Sequence, residues 1–164
     1  MTEPVSTQQA LDAIDAAARE WDDLVATVGP DRHEETGPDG RWTFKDFAGH
    51  LTDWENRTVD LLEDPAAVAP WGSGLDVDAV NQFIHRHNAA RPAEDVLRDA
   101  AAFYLRLRGV VSELSDDELN DPARFPALNG AALGPQLVGD PYFDHIRGEH
   151  AADIAYWRSS APTW

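Results

Sequence analysis

The chain has 164 residues, with 13 Lys and Arg against 30 Asp and Glu, a formal net charge of −17, 43% hydrophobic residues, six His, six Trp and no Cys. That length and apolar share predict one folded domain spanning residues 1–164 with a real core. The acidity opposes phosphate backbones and anionic lipid, so no nucleic-acid and no membrane partner is expected. The absence of cysteine excludes disulfides, Cys-ligated zinc and a thiol nucleophile of the chain's own. The start, Met1-Thr2-Glu3-Pro4, has neither the basic segment nor the apolar run of a signal peptide, and no stretch approaches the ~18 apolar residues of a membrane span. A cytoplasmic location is therefore expected.

Ser6 is positioned to cap a first helix, whose Leu11, Ile14, Ala18, Trp21, Val25 and Val28 recur at gaps of three and four. Gly29-Pro30 stops it, and Gly37-Pro38-Asp39-Gly40 has the chemistry of a turn. Thr43 with Asp46 forms a capping box for a second helix from about Phe44 to Glu63, with an apolar stripe of Phe44, Phe47, Leu51, Trp54, Leu61 and Leu62. After Pro65, Pro70, Gly72 and Gly74, either Asp76 or Asp78 can cap a shorter helix that ends before Arg91-Pro92. From Ala93, a long stripe running from Val96 to Leu114 reads as a central bundle helix.

Ser115-Asp116-Asp117-Glu118 begins a short turn, and residues 120–134, with Pro122, Pro126 and Asn129-Gly130, read as an irregular loop. The last helix carries Tyr142, Phe143, Ile146, His150, Ile154 and Trp157. Pro141 either opens that helix or kinks one that began near Pro135. With no β alternation and no repeat, the pattern predicts an all-α four-helix bundle with short extra helices in its connections.

His50 lies between Phe47 and Trp54 on the second helix, and His150 occupies the middle of the last apolar stripe. A lone inward histidine is more often a satisfied core residue than a ligand. Two from different helices are the raw material of an acid/base site or a metal site, so His50 and His150 are the candidate catalytic residues. His145 is five positions from His150, about 140° around a regular helix, so the two do not converge on one ion unless the helix unwinds. His145 is set aside on that ground.

Asp153 follows His150 by three residues and is a candidate further ligand, although a solvated flank serves it equally. His87 falls nearer the apolar side of the short helix than His85, and His33 has no role. Trp54, Trp157, Asn81 and Tyr104 are candidate walls of a small-molecule pocket, the aromatic ones doubling as core. No phosphate loop, nucleophile elbow or nucleotide fingerprint occurs.

The run Trp42-Thr43-Phe44-Lys45-Asp46-Phe47-Ala48-Gly49-His50-Leu51-Thr52-Asp53-Trp54-Glu55 resembles the second-helix signature of the DinB-like superfamily, which includes the mycothiol-dependent maleylpyruvate isomerase domains. Asp78-Ala79-Val80-Asn81, Pro92, Leu114 to Leu119 and the closing Tyr142 to His150 resemble more closely its ClbS/DfsB-type branch. The resemblance implies an up-down-down-up bundle with a pocket at one end. It also implies one metal-binding His from the second helix and two, four apart, from the last. His50 and His150 match two of these positions; the third falls on Ile146, which cannot ligate. No cofactor is then expected, or only a weakly held divalent zinc or nickel ion on His50, His150 and Asp153.

ClbS/DfsB-type members open strained, electrophilic natural products hydrolytically without a metal. The leading expectation is accordingly a small-molecule hydrolase or detoxifying protein. The alternatives are a metal-dependent transferase or isomerase, its thiol brought by a cosubstrate, and a non-catalytic binding bundle. A homodimer through an outer helix face is compatible with the pattern.

Overall fold

The structure, a computed structural model, describes residues 3–38 and 40–159. Met1, Thr2 and Asp39, which figured in the leader and turn readings, lie outside the described residues. Seven α-helices follow in chain order: α1 (Thr7–Val28), α2 (Phe44–Glu63), α3 (Val77–Ala89), α4 (Ala93–Ser112), α5 (Asp116–Asn120), α6 (Leu133–Val138) and α7 (Ala151–Ser159). Short 3-10 turns at Pro30–Arg32, Pro126–Leu128 and Pro141–Phe143 join them, and a π-helical turn, His145–Glu149, leads into α7. Among the described residues there is no strand, only an isolated bridge between Thr36 and Thr43.

The caps fall where side-chain chemistry places them. Ser6 and Gln9, Thr43 and Asp46, and Ser115 and Glu118 each form a reciprocal capping box at the start of α1, α2 and α5, satisfying amide donors that a helix start leaves unpaired. Of the two candidates for α3, Asp76 is the cap, accepting from the Ala79 amide. The expected loop 120–134 does contain irregular chain, but Phe125 and Leu133 are buried in the core and α6 begins inside it.

Three sets of contacts fix the topology. Thr7 at the start of α1 donates to the Leu114 carbonyl just past α4, and Arg108 pairs with Asp15, so α1 and α4 are antiparallel. Lys45 at the start of α2 donates to the carbonyls of Ala89 and Arg91 just before α4, while Arg106 late in α4 reaches Asp60 late in α2. Hence α2 and α4 are parallel, and α3 belongs to the crossover that this requires. Arg147 meets Glu20, and Arg32, beyond the end of α1, lies over Trp157, so α7 runs with α1. The bundle is up-down-down-up in α1, α2, α4 and α7.

The core is filled by Ile14, Trp21, Phe44, Phe47, Leu107, Val111, Phe143 and Trp157, all nearly inaccessible. The first half of α2 is buried on every side, from Phe44 through Thr52, because α3 and the chain before α7 cover what α4 leaves open. At Gly49 this packing is tight: a Cβ there would stand 2.8 Å from Asn88 Cγ. Asn88 in turn donates to Asp53 at 2.9 Å and to the Ile84 carbonyl, locking α3 onto α2 beside His50. No helix of the described residues is long and apolar enough to cross a membrane.

Candidate metal centre

Where the last helix was expected to run as a regular α-helix, the chain passes through a 3-10 turn and then the π-helical turn before α7 begins. The His150 amide donates to the His145 carbonyl at 3.2 Å, the i to i+5 pairing that defines a π turn. In that geometry residues five apart lie one above the other, so His145 and His150 share a face. This is the unwinding that a regular helix lacks, and it overturns the exclusion of His145. Gly148 sits inside the turn under the Asp144 carboxylate, where a Cβ would meet Asp144 Oδ1 at 2.1 Å.

His50, His145 and His150 consequently form a trio in which one ring nitrogen from each lies within 4.8 Å of the others. Their ring centroids are 5.2, 5.1 and 5.0 Å apart, a nearly equilateral triangle of edge-to-face and tilted rings. Ile146 is not the third member. It falls with Arg147 on the opposite side of the turn, lining a smaller cleft against Trp21 and Leu24 of α1.

Its surroundings set the protonation of His50. Burial, then the neighbouring His145 and His150, push the His50 pKa from 6.5 down to about 3, so its imidazole is neutral at neutral pH with a lone pair free. His50 is buried and its Nδ1 has no hydrogen-bond partner. Asp153 lies 2.8 Å from His150 Nδ1. A carboxylate there accepts the Nδ1 proton and leaves Nε2 as the lone-pair nitrogen, the carboxylate–histidine arrangement that orients metal-bound imidazoles. Asp153 is thus placed behind a ligand, which corrects its reading as a ligand itself. Glu55, only 5% exposed, has Oε1 3.4 Å from His145 Nδ1 and takes the same place behind the second imidazole.

These donors fit a divalent transition ion: three imidazoles from two segments, an unpartnered buried nitrogen and two backing carboxylates. The trio opens into a cavity of about 1080 Å³, well above the few hundred cubic ångströms a small organic ligand needs. Trp54, Trp157 and Asn81 line it as expected, and the Trp54 indole N–H donates to Asn81 Oδ1 at 2.9 Å.

Tyr104 does not line it. Its ring lies on the other side of the core, in the smaller cleft with Trp21 and Phe143, because a position on an inner helical face does not say which side of the core it faces. His85, and not His87, reaches the cavity, stacked on Trp42, whose ring in turn lies 4.9 Å from His50. Sequence reasoning missed Glu55, Tyr142 and Trp42 as site residues. The available signal was the reach of the two family motifs, one running from Trp42 to Glu55 and the other opening at Tyr142.

The fold and site together define an all-α four-helix bundle with a three-histidine cluster on the wall of an open pocket. The model of the DinB superfamily matches residues 13–139, most of the chain, and the chain belongs to that superfamily. The matched stretch includes His50 and Glu55 and ends before His145 and His150. Among curated proteins and among solved structures, none matches the chain.

Proposed function

We propose that this protein is a metal-dependent enzyme that adds a nucleophile to an electrophilic small molecule inside the cavity. The observation that carries this reading is the convergence of His50, His145 and His150 at the cavity wall. It favours the metal-dependent class over the metal-free ring opening of the ClbS/DfsB-type branch, because three imidazoles converge where two were expected. A bound divalent ion supplies Lewis acidity to a coordinated oxygen or sulfur. The three imidazoles would hold it, with Asp153 keeping the His150 tautomer and Glu55, 3.4 Å from His145 Nδ1, keeping that of His145. With no cysteine in the chain, the nucleophile is water or the thiol of a cosubstrate. The partner in this reading is a small molecule, and the compartment is the cytoplasm.

The test is metal content by elemental analysis of protein purified without a His tag. We expect close to one zinc or nickel per chain, falling below about a tenth of that in His50→Ala and His145→Ala. A metal-free wild type after exposure to micromolar zinc and nickel overturns the reading. Turnover of styrene oxide by the loaded protein, with and without an added small thiol, then separates hydrolysis from thiol transfer.

A further inference from the structure

The side of the π turn away from the histidines carries a second hollow. It encloses about 320 Å³ between α1 and α7, with the core residues Trp21 and Phe143 as its floor and the half-buried Ile146 and Ile154 as its walls. It exists because the sequence places alanine where the two helices face each other: Ala17 on α1 and Ala155 on α7 leave room that larger side chains would fill. Protein interiors are close-packed, with few voids larger than a water molecule, and a hollow of this size stands at the lower end of those that take small organic ligands. Charge is confined to its rim, where Glu20 and Arg147 pair at 3.0 Å, the guanidinium lying over the Phe143 ring, and Arg158 is exposed.

A separate observation points to a ligand. Tyr104 lines this cleft and is only 5% exposed. Its hydroxyl has no hydrogen-bond partner among the described residues and, unlike that of Tyr142, is not sealed off, so the little surface the residue keeps opens into the cleft. Burial, then the charge of Glu55, pushes the hydroxyl pKa well above the ordinary phenol value, so the group stays protonated and able to donate. One hydroxyl in an otherwise apolar hollow suits a molecule with one polar atom.

We propose that this cleft is a second ligand site, for a small uncharged aromatic molecule whose single oxygen pairs with the Tyr104 hydroxyl. A carboxylate or ammonium group would give up its hydration on the apolar floor. The rim offers little in return, because Glu20 and Arg147 already satisfy each other and water screens the exposed Arg158. The cleft shares no residue with the histidine trio, so this site stands or falls apart from the metal reading.

The experiment follows the amide NMR shifts of the metal-free full chain on titration with p-cresol, toluene and p-toluate. p-Cresol should give saturable shifts centred on the cleft-facing residues of α1 and α7. It should bind at least about threefold more tightly than toluene, which lacks the oxygen, and at least about tenfold more tightly than p-toluate. Tyr104→Phe should bring p-cresol down to the affinity of toluene, with toluene itself changed less than about twofold. Ala155→Leu, at an exposed position on α7, should fill the cleft and weaken both p-cresol and toluene at least about tenfold. Shifts centred on the histidine cavity, no saturable shift at the cleft, toluene or p-toluate matching p-cresol, a p-cresol preference that survives Tyr104→Phe, or binding untouched by Ala155→Leu overturns the proposal.

Discussion

Two side chains show how little the histidine trio needs from elsewhere. His50 is held neutral by burial and by its two neighbours, with a pKa of about 3 against 6.5 unfolded. A histidine whose folded pKa is depressed leaves the unfolded chain binding more protons below 6.5, so the metal-free protein loses stability as pH falls from 6.5 toward 3. By pH 4.5 this one group removes about 2–3 kcal/mol. Urea unfolding at pH 7 and pH 4.5 should show that loss in the wild type and a loss smaller by about that amount in His50→Gln.

Asp153 acts on the same cluster by fixing a tautomer. Asp153→Asn keeps the shape but removes the charge that draws the Nδ1 proton, so zinc affinity measured by calorimetry should fall about 10- to 100-fold. The residue is half-exposed, and the melting temperature of the metal-free protein should stay nearly unchanged.

At the scale of elements, the helices were legible and the π turn was not. Thr43 and Asp46, Ser6 and Ser115 mark helix starts through local hydrogen-bond chemistry, and Pro92 does so by its fixed φ, neither needing knowledge of the rest of the chain. Periodicity, by contrast, presumes 3.6 residues per turn, and on that rule His145 faces away from His150 while Ile146 takes its place. Local winding changes the answer without changing any residue. Glu55 was hidden because it is charged: it holds a place on the buried face, four residues after Leu51 and four before Val59, that the apolar stripe gave to Trp54.

A π turn equals one residue inserted into an α-helix. Deleting Gly148 should therefore close the turn to α geometry, leave the two imidazoles four apart on one face, and keep zinc affinity within about tenfold. Abolished binding in a folded deletion variant would show that the π geometry itself builds the site.

For the whole molecule, the position of the trio has a mechanical meaning. His50 lies on α2, whereas His145 and His150 lie in the segment that closes the bundle, so a shared ion would tie together two points about a hundred residues apart. Such a tie restricts the unfolded chain as a covalent cross-link does and adds the free energy of ligation to folding. The segment 141–159 should accordingly behave as a latch. Hydrogen exchange of residues 141–159 should slow on zinc addition, more than that of α1 or α4, and the melting temperature should rise with free zinc concentration. The protein would then fasten its own closing helix only when supplied with an ion that the three histidines can hold.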